Sequence, residues 1–400
     1  MANKMISNPF VVGKYLTDKY FCDRIEETAF LLKQIVNGRN VALISPRRMG
    51  KTELIHHCMR QSDIADNYFP IFVDIYATTS LAEFVYQLGK AVYEKLAPKS
   101  EIWKQRFFSV VSSLRMGFKL DPMTGEPGFD IGLGDIKTPQ TTLDEIFNYL
   151  EQAEKPCIVA IDEFQQIGNY EEKNTEAMLR TLIQRCANTS FIFAGSKRHI
   201  MANMFTSPSK PFYQSSITMG LNPIPLDTYC QFAARMFKLG ERSIEEDVVR
   251  SVYEDYNGCT WFMQMMMNEL FALTPMREKC VKSMLPQAKR GIILSQEQTY
   301  KETLSQMAPR QKMLLQAIAR DKEQGTSRAR SSSRAIVFHR QAQCSRLPRA
   351  CFPRTSSPRT TMHTASTTIS SPNGWLRYIK GHEGMLIIDM GCMWKPFCVF

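Results

Sequence analysis

Apolar positions in residues 1–225 follow two alternating patterns. Short continuous runs occur at Val41–Ile44, Ile71–Tyr76, Cys157–Ile161, Phe191–Ala194 and Ile217–Leu221, each bounded by polar or turn residues. Such runs predict strands buried on both faces. Between them, Lys51–Arg60, Leu81–Leu96, Thr142–Ala153 and Thr175–Cys186 carry helical spacing. The alternation predicts an α/β fold, a parallel sheet flanked by helices. Phe118–Leu133 alternates around a Pro/Gly turn and predicts a β-hairpin insertion. Past residue 226 the strand signal stops. Thr228–Leu239, Ser243–Tyr256, Thr260–Leu273 and Gln296–Gln306 predict a smaller helical domain, with Met263, Met265, Met266 and Met267 as its core filler.

Charge changes this picture at one end only. The net charge is +11, yet residues 324–400 hold eleven Lys and Arg against two Asp and Glu, so residues 1–323 are nearly neutral. The basic balance therefore says nothing about the partners of the folded part. The N-terminus lacks the apolar core of a signal peptide, and no run of 18 apolar residues occurs, so no membrane span is expected. The eleven cysteines show no paired CxxC spacing. They read as reduced thiols in a cytoplasm, without zinc.

The candidate chemistry lies after the first strand. Ser45-Pro46-Arg47-Arg48-Met49-Gly50-Lys51-Thr52 differs from the phosphate-loop pattern GxxxxGK[ST] at its first position, where Ser45 stands for glycine. A buried strand leads in, and a helix with Leu54 and Ile55 leads out. Gly50 lets backbone approach phosphate closely. The loop amides and the helix start, through Glu53, offer partial positive charge. Lys51 is expected on the β/γ-phosphates of ATP, and Thr52 on Mg2+. The strand Cys157–Ile161 ends in Asp162-Glu163. Asp162 is expected to hold the Mg2+ shell and Glu163 to orient or deprotonate a water. Phe191–Ala194 ends at Gly195-Ser196, and Ser196 is the candidate sensor of the γ-phosphate. The catalytic set is thus Lys51, Glu163 and Ser196. Pro46, Arg47, Arg48, Met49, Gly50, Lys51, Thr52 and Glu53 line the nucleotide, and Thr52 and Asp162 face the metal.

These residues resemble the archaeal-type ATPase family of P-loop NTPases, related to AAA+ and STAND proteins and including versions from Bacteroides-like bacteria. The resemblance covers roughly residues 6–323. It rests on Asn8-Pro9-Phe10, Phe21–Glu27, the Pro46–Thr52 loop, Asp162–Gln165 and Ala194-Gly195-Ser196. It implies ATP hydrolysis with Mg2+, a base-side contact for Arg24, whose alternative is a helix-start salt bridge, and a possible homo-oligomer. Relatives often carry an arginine after a Tyr-Gly pair, where this chain has Phe212-Tyr213-Gln214-Ser215. The alternative to hydrolysis is a nucleotide-gated switch or a DNA-binding regulator with little turnover.

The resemblance also implies a C-terminal winged helix, whose first helix fits Met307–Arg320. After about Gln324 the pattern gives way to Ser, Arg, Thr and Pro, a composition expected to be mostly disordered. Shifting the reading by one base over Thr367–Trp375 and over His339–Phe352 can restore winged-helix-like sequence, so this tail reads as out of frame. The DNA-binding module of relatives is then not expected here. The expected organisation is an ATPase domain over 1–225, a helical lid and the start of a winged helix over 226–323, and a basic low-complexity tail over 324–400.

Overall fold

In the computed structural model, the described residues are 8–13, 15, 17–96, 107, 119–120, 127–128, 136, 138–313, 315–316, 377–380 and 386–389. Five strands form the central sheet: β1 (Val41–Ile44), β2 (Phe69–Asp74), β3 (Cys157–Asp162), β4 (Thr189–Gly195) and β5 (Ile217–Met219). Their order across the sheet is β2-β3-β4-β1-β5, and every pairing is parallel. β4 thus lies between the strand that feeds the phosphate-loop motif and the strand that ends in the acidic pair.

Alternation along the strands separates two cores. Ala42, Val159, Ile161, Phe191 and Phe193 point to one face, under α3 (Leu81–Leu96), α4 (Pro139–Glu151), α5 (Thr175–Arg185) and α6 (Arg198–Thr206). Leu43, Ile158, Ala160, Ile192 and Ala194 point to the other, under α1 (Ile25–Val36) and α2 (Lys51–Arg60). That second core continues without a break into α7 (Leu226–Leu239), α8 (Glu246–Tyr256) and α9 (Thr260–Leu273). Each fully buried Phe or Leu contributes roughly 1.5–3 kcal/mol through removal from water. Met263, Met266 and Met267 are buried in this core, as filler residues should be.

Several expectations needed correction. β2 runs Phe69–Asp74, two residues earlier than its apolar run, because Phe69 and Pro70 pair with Cys157 and Ile158. Apolar spacing marks neither α6 nor the extent of α1, of which only the helix start at Arg24 is expected. The short strand Ser243–Ile244 pairs in parallel with Lys279–Cys280, so the second region is not purely helical. The long helix α10 (Leu285–Ser305) starts eleven residues before the expected Gln296. Pro286 at its start and only two buried residues, Leu285 and Ala288, leave its first half almost without periodic signal.

Lys119–Leu120 and Pro127–Gly128 pair antiparallel, in keeping with the hairpin expected there. The rest of Phe118–Leu133 lies outside the described residues. Of the helix expected over Met307–Arg320, residues 309–313 and 315–316 are helical, while residues 314 and 317–320 lie outside the described residues. The tail expected to be disordered and out of frame also lies outside them, save Arg377–Lys380 and Leu386–Asp389, which pair antiparallel. Among the described residues, no helix is long and apolar enough to cross a membrane.

Candidate functional site

The loop after β1 turns left-handed at two points, Arg48 (φ 68°) and Gly50 (φ 87°). Gly50 suits this conformation because it has no Cβ. Ser45 does not adopt a positive φ, so serine is tolerated where the motif usually has glycine. Its side chain is fully buried and its Oγ has no hydrogen-bond partner.

The loop carbonyls turn outward onto protein donors. Lys51 Nζ donates to Ser45 O (3.2 Å) and Pro46 O (3.3 Å). Trp261 N donates to Arg48 O (3.1 Å). Met49 O accepts from Arg24 Nη2 (3.2 Å) and Thr260 Oγ1 (3.4 Å). Lys51 is buried, and burial pulls its pKa below the ordinary lysine value against the opposing pull of Asp162 and Glu163. An ammonium held this way has a strong electrostatic incentive to meet a further anion.

The sheet brings the acidic pair to this loop. Thr52, in the first turn of α2, donates its hydroxyl to Asp162 Oδ2 at 2.6 Å. Asp162 ends β3, is 5% exposed, and accepts Glu163 N on its other oxygen at 2.9 Å. The two facing oxygens are hard donors from a hydroxyl and a carboxylate, the kind Mg2+ takes. Thr52 and Asp162 therefore fit the metal that the phosphate loop implies.

Glu163 sits just past the strand in a left-handed conformation (φ 56°). Its carboxylate accepts from Ser196 Oγ at 2.8 Å and from Gln165 Nε2. Ser196 in turn accepts from Arg47 Nε at 3.3 Å. Loop, β3 end and β4 end are thus joined through side chains. A Cβ on Gly195 would overlap Gln165 and Met201, so the close approach demands glycine there. Beside this group, burial pushes the Asp74 carboxyl up and the His56 imidazole down. Asp74 pairs in register with Asp162 at the neighbouring strand end.

Gly50 also borders a pocket. Met49, Gly50 and Glu53 line it, together with Tyr15 and Phe21 from the N-terminal stretch and Ile224 with the start of α9. Arg24 lines this pocket, but its guanidinium is committed to Glu27 (2.6 Å), Asn222 O (2.8 Å) and Met49 O. Of its two expected roles, the helix-start salt bridge is present. Arg48 stacks over Trp261, 4.0 Å from the ring centroid.

Lys51, Thr52, Asp162, Glu163, Ser196 and Arg47 thus converge at the strand ends, while Met49, Gly50, Glu53, Arg48 and Arg24 face the pocket. Pro46 contributes its carbonyl to Lys51. Sequence reasoning missed Thr260, Trp261 and the clamp by Gln165. The signal for Gln165 was its place two residues past the acidic pair. Trp261 had only an aromatic at a helix start.

No family model matches the chain, and no curated protein matches it. Solved structures do. The Walker-type ATPase of Pyrococcus abyssi is 16% identical with a TM-score of 0.60, the match covering 97% of this chain and 99% of that one. The ORC2 protein of Aeropyrum pernix, solved as ADPNP–ADP complexes, is 14% identical with a TM-score of 0.50 over 78% of each chain. The parallel sheet, the loop between β1 and α2, and these likenesses make this chain a protein of the P-loop NTPase fold.

Proposed function

We propose that the chain binds ATP with Mg2+ and hydrolyses it, as a member of the archaeal-type ATPases. The observation that carries this reading is the Thr52–Asp162 hydrogen bond. It unites the phosphate-loop helix with the acidic strand end, although 110 residues separate them. On this reading the loop amides and Lys51 hold the triphosphate, and Thr52 and Asp162 hold the metal, which would neutralise charge on the β- and γ-phosphates. Glu163 orients and deprotonates the attacking water, and Ser196 positions Glu163. Catalysis is then mainly positioning and electrostatics. The pocket beyond Gly50, walled by Tyr15, Tyr20, Phe21 and Trp261, is assigned to the base.

Residues 1–225 are proposed as the ATPase domain and 226–323 as its lid. A homo-oligomer is proposed as a possible assembly. DNA is proposed as a partner only for relatives with an intact winged helix.

Glu163→Gln tests the reading. Turnover should fall by about 10²–10⁴ while ATP affinity stays; Lys51→Ala should abolish binding. Equal turnover by wild type and Glu163→Gln would remove Glu163 from its role. The second reading, a nucleotide-gated switch, is favoured by one observation: Glu163 is already occupied by Ser196 and Gln165. Tight equilibrium binding without single-turnover hydrolysis would decide for the switch.

A further inference from the structure

Phosphoryl transfer by this fold class calls for an arginine as well as a lysine and a metal at the transferred group. The stretch that the family resemblance matches to a Tyr-Gly-Arg sequence, Phe212–Ser215, holds no arginine in this chain. Phe212 is fully buried, and Gln214 N is tied to Phe205 O at 3.2 Å.

The phosphate loop itself offers a guanidinium. Arg47 is half-buried, and its Nε reaches Ser196 Oγ at the end of β4. Its guanidinium also lies over the ring of Tyr76, 5.6 Å from the centroid, just past the end of β2. In the sheet, β3 lies between β2 and β4. A side chain that starts after β1 and touches residues at the ends of both β4 and β2 therefore crosses above the end of β3. Asp162 and Glu163 sit there. Its charge is also felt at Lys51, whose ammonium it opposes.

We propose that Arg47 is a catalytic residue of this ATPase, an arginine supplied in cis that stabilises the charge of the γ-phosphoryl group in the transition state. The proposal rests on the ATP-hydrolysis reading above. In the step, the water oxygen forms a bond to the γ-phosphorus as the bond to the bridging oxygen breaks. That oxygen leaves with the electron pair on ADP, and the water proton passes to the Glu163 carboxylate. Negative charge grows on the bridging and γ-oxygens, and the Arg47 guanidinium meets it. The Nε–Ser196–Glu163 chain couples the position of the guanidinium to the base. Because the arginine comes from the same chain, turnover per subunit does not require a neighbouring copy.

The test uses the full-length protein, ATP with Mg2+, and the transition-state analogue ADP–aluminium fluoride. Arg47→Ala should lower single-turnover hydrolysis by about a thousandfold while ATP affinity stays within about threefold. It should also lose the tight binding of ADP–aluminium fluoride that wild type shows. Guanidinium ion at millimolar concentration should restore part of the rate to Arg47→Ala and none to Glu163→Gln. Arg47→Lys keeps the charge but not the planar fork, and should recover little. Undiminished hydrolysis by Arg47→Ala beside an inactive Glu163→Gln would overturn this proposal alone. So would equal loss of ATP and ADP–aluminium fluoride binding without guanidinium rescue, which would make Arg47 a structural part of the loop. No turnover by wild type would sink the hydrolysis reading and this proposal together.

Discussion

On one side of the phosphate loop, the polar groups are side chains at the ends of neighbouring parallel strands: Asp162 and Glu163 after β3, Ser196 after β4. Around the pocket, the lining comes from Tyr15 and Phe21, from Ile224 and from the start of α9, and much of the contact is to backbone carbonyls. The first arrangement inherits its precision from strand register. The second depends on three distant stretches packing together, with Arg24 and Trp261 as its fasteners. Changes on the first side should therefore alter turnover, and changes on the second should alter stability and affinity.

The largest effect that would sharpen this contrast is at Arg24. Arg24→Ala removes a buried guanidinium that bonds Glu27, Asn222 O and Met49 O. The loss should be about 3 kcal/mol, read as a lower urea midpoint with an unchanged slope. A midpoint equal to wild type would show that Arg24 is no fastener.

Next comes Trp261→Ala, which removes the stack under Arg48 and one wall of the pocket. ATP affinity should fall by about tenfold, the scale of one base–aromatic contact, while turnover at saturating ATP holds. A fall in saturated turnover with unchanged affinity would break the division between the two sides.

The smallest effect concerns the cores beneath both sides, where the contrast should vanish. Burial pushes the thiols of Cys157 and Cys186, under one sheet face, and Cys22 and Cys58, under the other, up to about 12 from an ordinary 9. Between pH 9 and 12 the unfolded chain has released these protons and the folded chain keeps them. Stability therefore falls as pH rises through that window, by about 1 kcal/mol for each thiol at pH 10. Urea melts at pH 8 and pH 10 check this, and Cys58→Ala and Cys157→Ala should each narrow the fall equally.

The legibility of the molecule follows the same division. Val41–Ile44, Lys51–Arg60, Leu81–Leu96 and Thr260–Leu273 were readable to the residue, because their burial is continuous or periodic over their whole length. The fold class and the convergence of Lys51, Thr52 and Asp162 were readable for a related reason. A loop after one strand and a carboxylate at the end of another meet whenever the strands are parallel and near in the sheet. α10 was half hidden, since few of its residues touch the core.

By itself, then, the amino-acid order determined a parallel α/β sheet, a phosphate loop and an acidic strand end, all set by local periodicity and by residue type at strand termini. Only the tertiary structure decided that Ser196 and Gln165 hold Glu163, that Arg24 braces the loop, that Trp261 closes on Arg48, and that Arg47 spans the strand ends. Apart from the local Gln165–Glu163 bond, those contacts join segments 25 to 213 residues apart in the chain, and their geometry depends on strand order, which short-range patterns do not encode.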